Sequence, residues 1–436
     1  MTADRVAADA TLRDALGVFA RIGVLSFGGP TAQIALMHRI LVEEERWLTE
    51  DDFLAGLSFC MLLPGPEAMQ LATYVGWRRH GVVGGLAAGL LFVLPGALVV
   101  LALAGLYAAA GDVPLVEAAF VGVKAAVIAL VVEAMIRISR RALKDGVAVT
   151  LALASFAALF LAALPYPVIV LAAAAVGFAR GAPAAVAVPA ARPATSAAGT
   201  ARTAAVWLAL WLVPLAALSA FEAGLLADLG WFFSRLAVVT FGGAYAVLAY
   251  MAQEVVALHG WLATGEMMDG LGLAETTPGP LILVTQFVGF LAAWNASGSV
   301  GFAVAGAAVA LWATFVPCFL WIFVGAPYIA WLNTRARLRG ALAAVTAAVV
   351  GVIASLALWF ALHVLFLDVG RLTAGPLDMP WPTTPAVDLV AVALTVLGVV
   401  LLVGFKWSIL VVLAASAVLG IAAEFAWPGS TGQAAG

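Results

Sequence analysis

Apolar runs recur along the chain, separated by short polar or charged connections. Most runs approach the length of about 20 residues that spans a bilayer as a helix. The abundance of alanine and leucine also favours helices, because strands of a membrane barrel would instead alternate over about ten residues. The pattern therefore predicts an all-α polytopic membrane protein.

Near the N-terminus the apolar pieces are too short to span a bilayer comfortably. Residues 12–27, 31–42, 52–63 and 66–77 are separated by Gly-Gly-Pro, by the charged stretch EEERWLTEDD and by Pro-Gly-Pro. We expect two re-entrant helical hairpins with their tips at Gly-Gly-Pro and Pro-Gly-Pro, because non-helical backbone at membrane depth must be buried in protein or line a cavity. The alternative is that these residues only kink spanning helices.

The chain contains an internal repeat. The segment FARIGVLSFGG (19–29) aligns with FSRLAVVTFGG (233–243), and at the same shift of 214 residues the first Pro-Gly-Pro (64–66) falls on the second (278–280). A chance match between apolar segments would align alanines and leucines, but it would not keep Gly-Gly and Pro-Gly-Pro in one register. We therefore predict a duplicated unit.

The repeat defines three parts of the chain. These are an N-terminal transporter half (1–178), a linker rich in alanine and proline (179–203), and a C-terminal half (204–436). Lysine and arginine concentrate in alternate short connections, which predicts a cytoplasmic N-terminus and a cytoplasmic linker. The two halves then have inverted topology, which is typical of transporters whose substrate site lies near the membrane midplane.

Composition narrows the class further. The chain is 65% hydrophobic and 10% charged, with a mean hydropathy of +1.11, which excludes an ordinary soluble protein. Its net charge of −3 and scattered basic residues argue against nucleic-acid binding. Cys60 and Cys318 lie far apart without a metal-ligand spacing, so we expect no metal and no cofactor. We also expect no cleaved signal peptide, because the first 20 residues lack its pattern.

The predicted breaks suggest an anion site. Proline ends one helix and is tolerated in the first turn of the next, while glycine allows close backbone approach. Helices beginning near Thr31 and Glu67, and near their counterparts Ala244 and Leu281, would direct unpaired N–H groups and positive dipole ends into the protein. Several such helix ends around one midplane cavity would bind an anion.

Lys124 lies near the middle of an apolar segment, where a charge is a functional hypothesis by default. Glu117 or Glu67 would neutralise it in a structural ion pair, or the lysine attracts an anion to the cavity. The matching helix of the second half has Ile353 at this position, so we expect the first half to carry most of the charge-dependent work.

Other polar residues surround the breaks. Glu67 is either an ordinary helix N-terminal residue or a carboxyl group that exchanges a proton as substrate moves. Gln33 and Gln70 are neutral donors suited to oxyanion oxygens. In the second half the candidate residues are Gly242, Gly243, Glu275, Thr276, Thr277 and Gln286.

Five segments, in order, resemble the CHR family of chromate ion transporters in its long, two-half form: SFGGPTAQIALM, LPGPEAMQLATYVGW, GVKAAVIALVVEAMIR, TFGGAYAVLAYM and LAETTPGPLILVTQFVGF. The resemblance implies a carrier in the bacterial inner membrane that expels chromate, driven by the chemiosmotic gradient, with sulfate as the look-alike dianion. The functional positions that it implies are Gly28, Gly29, Pro30, Gln33, Pro64, Gly65, Pro66, Glu67, Gln70, Lys124, Glu275, Thr276, Thr277, Pro278, Gly279 and Pro280.

Other functions remain open at this point. Proton-coupled uptake of sulfate or another oxyanion is the main alternative, and a passive channel is a further one. Protons and a second copy of the chain are further candidate partners. We do not expect an enzyme, because the sequence has no haem-attachment motif, no HExxH and no nucleotide-binding loop. Ala244, which replaces proline after the second Gly-Gly, leaves it open whether the second half contributes equally to the site.

Overall fold

The computed structural model describes residues 11–110, 113–181, 196–241, 244–329, 335–375 and 377–426. Nearly all of these residues are helical, so the predicted all-α class is confirmed. The helices are α1 (Leu12–Leu25), α2 (Gly29–His38), α3 (Glu50–Cys60), α4 (Glu67–Ala110), α5 (Pro114–Ala142), α6 (Gly146–Phe160), α7 (Tyr166–Arg180), α8 (Ala197–Ala220), α9 (Leu225–Val239), α10 (Ala244–Ala252), α11 (Thr264–Thr276), α12 (Val284–Ser297), α13 (Val300–Gly325), α14 (Ala336–Leu365), α15 (Leu389–Val399) and α16 (Ile409–Ala426).

One short sheet interrupts the helical pattern. Strands β1 (Val369–Ala374) and β2 (Leu377–Pro382) form an antiparallel hairpin between α14 and α15. Arg371 on β1 and Asp378 on β2 form a two-fold ion pair across it.

Six helices in the described residues are long and apolar enough to cross a membrane, which confirms the multi-pass class. They are α4, α5, α8, α13 with the turn that follows it, α14 and α16. The longest, α4, consists of two helices joined where His80 and Gly81 leave helical geometry. Gly76 and Gly84 then bring the two backbones together, because a Cβ on either glycine would overlap the carbonyl oxygen of the other.

The short N-terminal helices begin and end close to the predicted breaks. Helix α2 begins at Gly29, α3 ends at Cys60, and α4 begins at Glu67 directly after Pro66. In the second half, α10 begins at the predicted Ala244. The predicted starts near Thr31, Glu67 and Ala244 are therefore confirmed, since glycine and proline act on the backbone within a few residues. At the fourth, Leu281, a 3₁₀ turn precedes α12, which begins at Val284.

The boundary of the linker differs from the prediction. Helix α8 begins at Ala197, inside the predicted linker, because the Ser196 hydroxyl accepts a hydrogen bond from the N–H of Gly199 and caps the helix. The alanine-rich sequence that follows favours helix. Residues 182–195 of the predicted linker lie outside the described residues.

One type of helix end occurs three times in the described residues. Each has a π-helical last turn, followed by a residue with positive φ and then by a tryptophan. The backbone N–H of this tryptophan donates a hydrogen bond to the carbonyl oxygen six residues earlier. The three are Arg39–Glu44 with Arg46 and Trp47, Gln253–Leu258 with Gly260 and Trp261, and Val400–Gly404 with Lys406 and Trp407. The first two lie 214 residues apart, so this local structure recurs at the shift found in the sequence.

The chain forms two compact units. The first unit contains the described residues of Met1–Leu103, Gly181–Ala244 and Thr277–Arg339, and the second those of Ala104–Arg180, Tyr245–Thr276 and Gly340–Gly436. Each unit draws segments from both predicted halves of the sequence. The repeat describes sequence similarity, whereas the units reflect which segments contact one another.

Helices α5 and α16 pack closely against each other in the second unit. Ala118 and Gly122 on α5 face Ser416 and Gly420 on α16, and both pairs have the small-xxx-small spacing that lets membrane helices approach closely. A Cβ on Gly122 would overlap the carbonyl oxygen of Ser416. A buried apolar cluster extends this contact toward α15, and its members are Ala126, Ala129, Leu130, Leu402, Val412 and Leu413.

We predict that Gly122→Ala destabilises the protein by about 1–3 kcal/mol, because the added methyl group forces α5 and α16 apart. The matched control is Gly17→Ala on α1, where a Cβ would meet no heavy atom of the described residues within 4 Å. This control should be neutral or stabilising by up to about 1 kcal/mol. Thermal unfolding in detergent, followed by tryptophan fluorescence, measures both. Equal melting temperatures for the two variants would contradict this account of the contact.

Candidate functional site

The two Pro-Gly-Pro breaks are held in the first unit by a pair of matching hydrogen bonds. The N–H of Gly65 donates to the carbonyl oxygen of Thr240 at 2.8 Å, and the N–H of Gly279 donates to that of Ser26, also at 2.8 Å. Thr240 and Gly279 each lie one repeat shift after Ser26 and Gly65. Each Pro-Gly-Pro of one half therefore bonds to the residue before the Phe-Gly-Gly segment of the other half.

Glycine is required at the centre of both breaks. Gly65 has φ +118° and Gly279 has φ +89°, which side chains rarely adopt. A Cβ on Gly65 would also lie 2.8 Å from Nε2 of Gln70 and 2.9 Å from Sγ of Cys318. The second break has more room at its central glycine, since a Cβ on Gly279 would lie 3.1 Å from Cδ1 of Leu283, but a Cβ on the neighbouring Gly96 would overlap the carbonyl oxygen of Pro278.

Three buried glutamines brace the same region of the first unit. The Nε2 atom of Gln33 donates to the carbonyl of Gly279 at 2.6 Å, across 246 positions of sequence. Gln70 and Gln286 donate in the same way to the carbonyls of Pro64 at 2.7 Å and Ala97 at 2.9 Å. Within the described residues, the three Oε1 atoms are buried without a hydrogen-bond partner. The structure thus brings these residues to the breaks, with their amide N–H groups directed at backbone oxygens.

Helix N-termini follow the breaks. Gly28 has φ +83°, and α2 starts at Gly29 with Pro30 in its first turn. Helix α4 starts at Glu67, and a 3₁₀ turn starts at Leu281 and leads into α12. In the described structure no side chain of the N-cap residue accepts a hydrogen bond from the first N–H groups of α2 or of the 3₁₀ turn. Gly242 and Gly243 lie outside the described residues.

Lys124 belongs to the second unit, where its partner is Asp269 on α11. The Nζ atom lies 3.5 Å from Oδ2 of Asp269, and the hydroxyl of Tyr107 donates to the same oxygen at 2.8 Å. The expected partner Glu117 makes no ion pair with Lys124 in the described structure. Asp269 was not among the sequence-predicted residues. The available signal was three acidic residues, Glu266, Asp269 and Glu275, in one short segment, but a distant partner for Lys124 could not be chosen among them from sequence alone.

Glu275 and Thr276 also lie in the second unit, at the C-terminal end of α11. Oε1 of Glu275 accepts a hydrogen bond from the hydroxyl of Tyr245 at 2.7 Å, and Oε2 is buried without a partner in the described residues. The hydroxyl of Thr276 donates to the carbonyl of Leu273. The two buried carboxyl groups of α11, Asp269 and Glu275, thus share one arrangement: each binds a tyrosine hydroxyl through one oxygen and leaves the other unpaired.

Comparison with known proteins identifies the family. The family model described as Chromate transporter matches residues 14–178 and 227–421. The chain is 32% identical over 364 residues to the chromate transport protein of Cupriavidus metallidurans, covering 79% of this chain and 81% of that protein. It is 36% identical over 349 residues to the chromate transport protein of Pseudomonas aeruginosa, covering 77% of each.

A third relative is similar to the chain over most of its length. The probable chromate transport protein of Synechococcus elongatus is 32% identical over 346 residues, covering 79% of this chain and 83% of the relative. No solved structure matches the chain. The motifs that suggested the resemblance, including both Pro-Gly-Pro breaks, lie within the matched regions. The chain belongs to the chromate transporter family and is a membrane transport protein, not an enzyme.

Proposed function

We propose that this protein exports chromate across the bacterial inner membrane, driven by the chemiosmotic gradient. Chromate is the substrate named for its relatives, and sulfate is a tetrahedral dianion of the same shape. The bound anion lies near the membrane midplane, at the N-terminal ends of the broken helices. The two halves are inverted repeats, with re-entrant hairpins tipped by Gly-Gly-Pro and Pro-Gly-Pro and with the N-terminus in the cytoplasm.

One observation carries the proposal for the site. The matching bonds from Gly65 to Thr240 and from Gly279 to Ser26 hold the breaks of both halves together in the first unit. Each break precedes the start of a helix or a 3₁₀ turn, where N–H groups lack intrahelical partners. The dipole of each helix adds the equivalent of about half a positive charge at this end. Several such ends together balance much of the charge of a dianion.

The chemistry of these donors suits an oxyanion. Backbone N–H groups at helix N-termini bind phosphate and sulfate in many proteins, because the donors point outward along the helix and need no desolvated charge. Pro30 and Pro66 lack an N–H, and their fixed φ suits the first turn or the residue before it. Gln33 and Gln70 donate to the backbone of the breaks themselves, which preserves the direction of the donors, and Gln286 ties the start of α12 to α4.

The test is uptake of radiolabelled chromate into everted membrane vesicles, with and without energisation, and with sulfate as competitor. Everted vesicles expose the cytoplasmic face, so an exporter should accumulate chromate only when they are energised. We expect saturable accumulation that excess sulfate reduces. The control is vesicles without the protein.

Two other outcomes would decide against export. Energy-dependent accumulation in right-side-out vesicles but not in everted ones would establish uptake, which is the main alternative. An absence of chromate flux in either orientation, with the protein shown to be inserted, would reject chromate as the substrate.

A further inference from the structure

Lys124 and Asp269 form a charged pair in the interior of the second unit. The side chain of Asp269 is 5% exposed and that of Lys124 17%. Their separation of 3.5 Å between Nζ and Oδ2 is longer than an ordinary hydrogen bond between charged groups. A lysine has three donors, and this is the one ion pair of Lys124 in the described residues. The ammonium group is therefore held loosely and keeps capacity for a further acceptor.

The position of the ammonium group favours an anion. A Cβ on Gly265 would lie 3.2 Å from Nζ of Lys124, so the amine contacts the first turn of α11. A helix N-terminus carries partial positive charge, which opposes a cation and attracts an anion. A larger side chain at Gly265 would also fill the space beside the amine. Lysine and helix end thus both attract negative charge; in this structure Asp269 faces the lysine, and Glu266 accepts a hydrogen bond from the N–H of Ala263 at the start of α11.

Asp269 has an oxygen available for a proton. Its Oδ2 atom accepts from Tyr107 and faces Lys124, whereas Oδ1 is buried and has no hydrogen-bond partner in the described residues. A buried, unpaired carboxylate oxygen is unfavourable, and protonation relieves it. The other charged group that acts on Asp269 is Glu266, one turn earlier on α11.

We propose that Asp269 is the built-in counter-ion of Lys124, which the transported oxyanion displaces while Asp269 takes up a proton. The inference rests on the proposed function. A hydronium ion transfers a proton to Oδ1 and becomes water, so one O–H bond breaks as another forms, and the carboxyl group becomes neutral. The lysine then pairs with the oxyanion at the first turn of α11, which is a separate position on the anion's path from the helix ends of the first unit.

The proposal couples the anion to one proton. Anion and proton bind together, because each favours the state in which Lys124 is released from Asp269. A dianion with one proton carries one net negative charge, so a membrane potential that is negative inside still drives the loaded protein toward export. The protonated carboxyl group can keep its hydrogen bond from Tyr107, which holds the side chain in place as the charge changes.

The experiment measures binding of radiolabelled chromate to the purified full chain by equilibrium dialysis at a series of mildly alkaline pH values, where chromate is almost entirely the dianion. For the wild type we expect the affinity for chromate to fall by up to about tenfold for each unit that the pH rises, because binding is coupled to the uptake of one proton. Asp269→Asn mimics the protonated state of Asp269. The chromate affinity of this variant should therefore stay, at all these pH values, at the highest affinity that the wild type reaches. Glu266→Gln, on the same helix, is the matched control and should keep the fall with pH.

Each result is decisive. Equal pH dependence in wild type and Asp269→Asn would overturn the counter-ion role. No chromate binding by the wild type at any pH would instead reject the proposed function, on which this inference rests. If Asp269→Asn fails to fold, as judged by size-exclusion chromatography, Tyr107→Phe replaces it. Because the hydroxyl of Tyr107 stabilises the ionised form of Asp269, its loss should shift the fall in chromate affinity to higher pH. An unchanged dependence of affinity on pH would overturn the proposal.

Discussion

Gly65→Ala is expected to lower chromate transport by about tenfold or more. Gly65 has φ +118°, and an added Cβ would lie within 2.9 Å of both Gln70 and Cys318. Backbone strain of this kind amounts to about 1–3 kcal/mol. A free-energy difference of about 1.4 kcal/mol corresponds to a factor of ten in an equilibrium constant or a rate. We expect the break to relax by moving Gly65 away from Thr240, which lengthens their hydrogen bond and turns the start of α4 away from the substrate.

The control for Gly65→Ala is Gly298→Ala. Gly298 also has positive φ, at +64°, but a Cβ there would meet no described atom within 4 Å. It should lose about 1 kcal/mol of stability and transport nearly normally. Initial rates in everted vesicles, divided by the amount of inserted protein, compare the two variants. Equal rates would show that the geometry of the first Pro-Gly-Pro break does not matter for transport.

Lys124→Ala is expected to lower the free energy of unfolding by about 3 kcal/mol or more at alkaline pH, since it leaves the carboxylate of Asp269 buried without its partner. Adding Asp269→Asn to Lys124→Ala should restore most of this loss, because the uncompensated charge is removed. Transport should remain low in both variants, since neither has the cation. Stability is measured by thermal unfolding in detergent and transport in everted vesicles.

The control for Lys124→Ala is an exposed ion pair of the same unit. Arg180 lies 3.2 Å from Asp145, and both side chains are about half exposed. Arg180→Ala should therefore lower stability by less than about 1 kcal/mol. If Lys124→Ala were no more destabilising than Arg180→Ala, the buried pair would not be a significant structural interaction. Full transport by Lys124→Ala would remove the lysine from the anion pathway.

Local features of the sequence were predicted well. The all-α class followed from run length and composition, and the starts of α2, α4 and α10 followed from glycine and proline. These residues act through their own backbone dihedral angles and missing N–H groups, so their effect is present wherever the chain folds. The π-helical ends before Trp47 and Trp261 were not predicted, although their recurrence at the repeat shift shows that the sequence encodes them.

The sequence by itself determined that this chain is a helical membrane protein, where its helices break, and which family it resembles. Tertiary structure alone decided what meets at those breaks, where Gly279 bonds to Ser26 and Gly65 to Thr240, and which acidic residue of the second unit pairs with Lys124. The physical reason is distance along the chain. Tyr107 and Asp269, for example, are 162 positions apart, and only the packing of whole helices selects one acidic residue among several as the partner.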